Sequence, residues 1–438
     1  MRSRYRPSQP RQARPRTIES QAVPDTNRAI EAIWRIESPK VIAGVARMVH
    51  DVGLAEEIAQ DAFVAALHQW PQSGVPERPG AWLMGTAKHL AIDMLRRNQT
   101  LERKQEELAR ALEVEELTMP DFDAALEDNL GDDLLRLMFT ACHPVLSSDA
   151  RVALTLRLLG GLTSEEIARA YLTPPATIQQ RIVRAKRTLT EARVPFDVPA
   201  RSELAGRLAS ILEVIYLIFN EGYSATAGED SIRPALCEDA LRLGRVLAEL
   251  MPRESEVHGL VALMEIQASR LRSRVGPSGE PVLLLDQDRA RWDYLLIQRG
   301  LSALARAERL GTMLGPYALQ AAIAACHARS RTPEATDWVR IAALYDALAQ
   351  VAPSPVVELN RAVAVSMAFG PAAGLELVDR LASEPWLQGY HLLPSVRGDL
   401  LAKLGRSQEA RAEFERAASL TLNERQRKQL LERAANQG

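Results

Sequence analysis

The chain has 438 residues, enough for two or three domains with sizeable cores. Hydrophobic residues make up 47% of it and charged residues 25%, which excludes a wholly disordered protein. The formal net charge of −2 decides nothing about partners, because it averages two opposed segments.

Leu101 to Leu134 carries twelve acids against three bases, and Arg169 to Arg193 carries six bases against one acid. The three cysteines, Cys142, Cys237 and Cys326, lie far apart with no CxxC pair. That pattern supports neither a disulfide framework nor a zinc site, and it fits a reducing cytoplasm. Cys142-His143 is an adjacent pair, which is poor metal-ligand spacing. No metal and no cofactor are expected.

The N-terminus, "MRSRYRPSQPRQARPR", has arginines and prolines without an apolar core, so residues 1–26 are expected as a flexible basic tail rather than a signal peptide. Residues 27–98 form the first helical block. In "LAEEIAQDAFVAALHQW" the spacing puts Leu54, Ile58, Ala62 and Ala65 on one face, with Glu56, Glu57, Gln60 and Asp61 on the outer one. "PQSGVPERPG" is a loop, with three prolines and two glycines. A further helix, "AWLMGTAKHLAIDMLRRN", ends in two arginines.

Residues 99–130 are an acidic linker, partly helical at best. Residues 131–193 are a second helical block, and within it "LTSEEIARAYLTPPATIQQRIVRAKRTL" reads as two helices around a proline-marked turn. Thr163 and Glu166 have the spacing of a capping box, so a helix is expected from Ser164. Pro174 or Pro175 opens the next helix. There Ile178, Ile182, Ala185 and Leu189 form a buried stripe, leaving Thr177, Gln179, Gln180, Arg181 and Arg184 outward. Hydroxyl and amide groups near a helix N-terminus can read base edges, while Arg184, Lys186 and Arg187 further along reach phosphates. This is the pattern of a helix-turn-helix whose second helix enters the DNA major groove. The competing reading is a solvated basic face.

"VPFDVPA" marks a boundary near residues 194–200, where the chain is expected to be divisible. Residues 201–438 read as alanine- and leucine-rich helix hairpins. "GDLLAKLGRSQEARAEFERAASL" places Gly398, Gly405, Ala410, Phe414 and Ala417 at tetratricopeptide spacings, although Leu422 stands where that repeat has proline. Gly370 precedes Gly405 by 35 residues. The whole chain is therefore expected to be all-α, with no membrane span.

The first helical block resembles domain 2 of the bacterial extracytoplasmic-function (ECF) sigma factors, and the helix-turn-helix resembles their domain 4. The two resemblances cover residues 27–193 in the family's order, separated by an acidic linker. They imply a cytoplasmic subunit that binds core RNA polymerase and directs it to promoter DNA. Domain 4 would read the minus-35 element, and domain 2 would capture the minus-10 strand. For that strand Arg78, Lys88, Arg96 and Arg97 supply charge and Trp82 offers a stacking platform, or else closes the bundle as a core residue. His89 stands where the family places asparagine. The acidic face of Glu56, Glu57, Gln60 and Asp61 would repel phosphates; in the family the corresponding helix docks on the polymerase.

"YLIFNEGYSATAGED" and "LLLDQDRARWD" resemble the sigma subgroup with a tetratricopeptide-like C-terminal extension, which implies a regulatory module with a protein or peptide partner. Glu221, Asp230, His258, Asp286 and Asp288 offer hydrolase chemistry only if they converge, and no motif fixes a nucleophile, so no enzyme is expected. "FNEGY" is expected as a turn served by Asn220 and Gly222. Two other classes remain: a one-component regulator with a ligand-sensing helical domain, which has no need of residues 27–98, and a repeat scaffold.

Overall fold

The computed structural model describes residues 22–109, 130–224, 232–277, 280 and 282–437. Among these every regular element is helical. Most of the expected tail, most of the acidic linker, and Asp230 lie outside the described residues. The chain divides into two compact units, residues 1–126 and 127–438.

In the first unit α1 (Ala22–Val49), α2 (Val52–Ser73) and α3 (Pro79–Ala109) pack pairwise into a three-helix bundle. Asp51 starts α2 by accepting a hydrogen bond from the Leu54 amide at 2.8 Å. Gly74, at φ +83°, lets the chain turn away after α2, a conformation that costs glycine little. Ile42, Val45, Ile58, Trp70 and Leu83 are buried in the bundle, and Trp34 stacks on Phe63 at 4.7 Å.

The second unit begins with α4 (Leu130–Ala141), α5 (Ser148–Leu158), α6 (Ser164–Ala170) and α7 (Pro175–Glu191). It continues through α8 (Arg201–Tyr223), α9 (Pro234–Leu250), α10 (Ser255–Ala268), α11 (Tyr294–Leu310) and α12 (Pro316–Arg329). It ends with α13 (Trp338–Val351), α14 (Pro355–Phe369), α15 (Pro371–Leu381), α16 (Leu392–Lys403), α17 (Ser407–Leu420) and α18 (Glu424–Ala435). Helices α7, α9, α12, α14 and α15 each open on proline, where its missing N–H is not needed.

From α12 onward each helix packs on its chain neighbour. Leu359, Val378, Leu401, Ala410, Phe414 and Ala417 share one core. A Cβ on Gly398 would come within 2.9 Å of the Phe414 ring, so glycine lets α16 and α17 approach closely. Gly370 and Gly405 both take positive φ between paired helices. Leu422 is 75% exposed, so no proline-like packing replaces the missing residue there.

The segment at residues 194–200 does not separate the helices on its two sides. Arg207 donates to the Phe139 carbonyl at 2.8 Å, and Ser210 donates to the Cys142 carbonyl at 2.6 Å. Arg242 donates to the Leu159 and Gly160 carbonyls at 3.3 and 3.1 Å. These carbonyls sit at the C-terminal ends of α4 and α5, where a helix leaves acceptors unsatisfied. Thus α8 and α9 complete the block that carries the helix-turn-helix. "FNEGY" is likewise not a turn but the end of α8. Gly222 is buried there, and a Cβ on it would meet the Cys237 amide nitrogen at 2.7 Å.

Candidate nucleic-acid interface

Thr163 accepts from the Glu166 amide at 3.1 Å while Glu166 accepts from the Thr163 amide at 2.8 Å, so the capping box is complete. Leu172, at φ +47°, turns the chain, and Pro175 opens α7. Ile178, Ile182, Ala185 and Leu189 are the buried residues of α7, matching the expected stripe. This one-sided burial fixes the opposite face of α7 toward solvent.

On that face Thr177, Gln179, Gln180, Arg184 and Arg187 are exposed. Arg181 is half-buried and pairs with Asp149 at 3.2 Å. Gln179 reaches Glu165 at 3.5 Å, Arg187 bonds Glu191 at 2.6 Å, and Lys186 is half-buried. A cleft of about 400 Å³ runs beside α7, lined by Asp149, Thr177, Gln180, Arg181 and Arg184 among others. Polar groups that can read base edges therefore lie on the first two turns, with cations following.

In the first unit Arg78, Arg96 and Arg97 are exposed and Lys88 is half-buried. His89 is exposed, and its Nδ1 donates to the Gly85 carbonyl at 2.7 Å, which leaves Nε2 facing outward. Trp82 is half-buried, edge-to-face with the buried Trp70 at 5.2 Å, so it uses part of its surface to close the bundle.

The acidic face of α2 is smaller than expected. Glu57 and Asp61 are exposed and Gln60 is half-buried, but Glu56 is only 4% exposed and accepts from the Gln60 amide at 2.7 Å. The buried stripe runs through Ala55, Ile58, Ala59, Ala62 and Ala66, rotated toward Glu56 and away from Leu54 and Ala65.

Three of the groups considered for hydrolysis have separate structural duties. Glu221 pairs with Arg233, Asp288 accepts from the Ala290 amide, and His258 bonds the Pro252 carbonyl. Among the described residues no group of His, Cys, Asp or Glu is arranged to hold a metal. Sequence reading missed Asp149, whose only local signal is its place in the first turn of α5. It also missed Arg207, Ser210 and Arg242, because contacts so distant in sequence leave no periodic trace.

Residues 33–100 match Sigma-70 region 2 and residues 136–189 match Sigma-70 region 4. Residues 207–308 match a family of unknown function, DUF6596. Two matches of this kind, on a chain whose described residues form only helices, support an ECF-like sigma factor. The chain is 27% identical over 179 residues to a probable ECF RNA polymerase sigma factor, SigI, of Mycobacterium tuberculosis, covering 41% of this chain and 60% of that one. It is 28% identical over 177 residues to the ECF RNA polymerase sigma factor SigC of the same species, covering 40% of this chain and 90% of that one. Over most of its length, 392 residues, it is 43% identical to an uncharacterized protein of Rhizobium meliloti strain 1021, covering 88% of this chain and 90% of that protein, and it belongs to the family of that protein. No solved structure matches the chain. None of the helices among the described residues is long and apolar enough to cross a membrane.

Proposed function

We propose that this protein binds core RNA polymerase in the cytoplasm and directs it to promoters. In this reading α7 enters the major groove of the minus-35 element. Thr177, Gln179, Gln180 and Arg181 face bases there, and Arg184, Lys186 and Arg187 face phosphates. Helix α3 and the residue just before it hold the minus-10 strand through Arg78, Lys88, His89, Arg96 and Arg97, with Trp82 alongside. Glu57 and Asp61, with Gln60 between them, dock on basic polymerase side chains, and the buried Glu56 shapes that face from beneath.

The observation that carries this reading is the sorting of α7. Ile178, Ile182, Ala185 and Leu189 are buried on one face, while Gln179, Gln180, Arg184 and Arg187 face outward and Val183 is the one large apolar side chain exposed among them. Residues 201–438 act as a tetratricopeptide-like regulatory module that takes a protein or peptide partner. Support comes from Gly398, Ala410, Phe414 and Ala417, which pack as such a pair requires. Transcription reconstituted from core polymerase and this chain tests the proposal. Promoter-specific initiation that depends on the chain is expected. Operator binding without any affinity for core polymerase would instead indicate a one-component regulator.

A further inference from the structure

Two sequence segments that promoter recognition does not use meet at one cavity. "YLIFNEGY" ends at Tyr223, and "LLLDQDRARW" contributes Leu283, Leu284 and Gln287. Between them in sequence lie Arg270 and Arg274, and Arg433 of α18 closes the far wall. The cavity holds about 410 Å³, the size range of small-molecule sites.

Its lining includes three arginines and no carboxylate. Arg433 is matched by Asp399, but among the described residues no carboxylate pairs with Arg270 or Arg274. Instead aromatic rings hold them. The Arg274 guanidinium lies 3.8 Å from the Tyr223 ring centre. That of Arg270 lies 5.9 Å from Tyr223 and 5.8 Å from Trp292. Ring faces fix a guanidinium plane and leave its edge donors free to bond.

Arg270 is only 7% exposed. One of its NH2 groups donates to Gln267 at 2.9 Å, while the buried Nε of each of these two arginines lacks a hydrogen-bond partner. A buried cation without a counter-charge is costly, and an anion reaching it would relieve that cost. Leu283, Leu284 and Leu430 add an apolar wall.

We infer that this cavity binds a small ligand carrying a carboxylate or phosphate on a flat apolar body, its anion held by Arg270 and Arg274 and its body against Leu283, Leu284 and Leu430. Guanidinium forks recognise both anions bidentately, so the head group is left to the measurement.

Calorimetry on the full chain with benzoate, phenyl phosphate and inorganic phosphate tests this. Saturable binding of at least one aromatic anion, tighter than inorganic phosphate, is expected, and which one binds identifies the head group. Arg274→Gln should weaken it by about tenfold or more, as loss of a charge-assisted pair does. Arg272→Gln, at an exposed position outside the lining, should leave it unchanged. Arg270 is buried, and Arg270→Gln could unfold the site, so the half-exposed Arg274 decides. Failure of both aromatic anions to bind saturably overturns the assignment, and so does equal binding by folded Arg274→Gln and the unaltered chain.

Discussion

Arg181 of α7 and Asp149 in the first turn of α5 form an ion pair at 3.2 Å, with 30% and 73% of their side chains exposed. An exposed pair of this kind contributes about 0–1 kcal/mol, so Arg181 can exchange Asp149 for DNA at small cost. Asp149→Ala should therefore strengthen promoter binding by a few-fold and should do nothing once Arg181 is also alanine. Fluorescence anisotropy on the single and double mutants checks this coupling. The loss of an acid from the start of α5 should cost about 0.3–1 kcal/mol of stability.

Gln180 and Arg181 are assigned to bases, Lys186 and Arg187 to phosphates. Alanine at either of the first two should cost about 1–3 kcal/mol, concentrated at one promoter position. Alanine at either of the last two should weaken all sequences alike and lower the salt slope by about one unit. Equal discrimination by all four variants would remove the division of roles.

Charge reversal at Glu57 and Asp61 together should lower affinity for core polymerase and leave α-helix content unchanged, since both are exposed. Glu56→Lys should instead destabilise the first unit, because it places a cation where only 4% of the residue meets water. Pull-down with core polymerase, read beside thermal melts, separates the two effects.

Ser210 accepts from Arg151 and donates to the Cys142 carbonyl, so Ser210→Ala removes one bridge between α8 and the helix-turn-helix block. The buried partners left behind should cost about 1–3 kcal/mol. Hydrogen exchange should show faster exchange in α4 and α5, with α1 to α3 unchanged. Truncation after Val198 should produce a larger effect of the same kind. A truncated chain with full protection in α4 and α5 would show that the block needs no cover.

His327 is 7% exposed, and burial together with Arg270 and Arg289 lowers its pKa to about 4. Above pH 6.5 it is neutral whether the chain is folded or not. Between pH 6.5 and 4 only the unfolded chain takes up the proton, so stability falls as pH falls through that window. His327→Gln should flatten this part of the curve, as measured by urea denaturation at pH 7, 6 and 5.

The α6–α7 pair was legible in the sequence because its signals are local: a capping box, prolines, and an apolar repeat of one turn. Glu56 was misplaced because the alanine-rich α2 offers two plausible stripes about one residue apart, and only packing against α1 and α3 selects between them. "FNEGY" was read as a turn because glycine and asparagine favour turns, whereas Gly222 answers to the close approach of α9. The prolines near residues 195–199 do interrupt helix. Whether they separate cores depends on Arg207, Ser210 and Arg242, whose reach across the interruption has no sequence period.

The cover over α4 and α5 also imposes an order in time. Region 4 leaves the ribosome first, and Arg242 follows roughly 50 residues later, a lag of about 3–10 s at ordinary elongation rates. During that interval the carbonyls of Leu159 and Gly160 have only water to meet, whereas Arg207 and Ser210, the partners of Phe139 and Cys142, emerge sooner. A nascent chain interrupted there presents α7 on an unfinished support, and the block of α4 to α7 is completed only with α9.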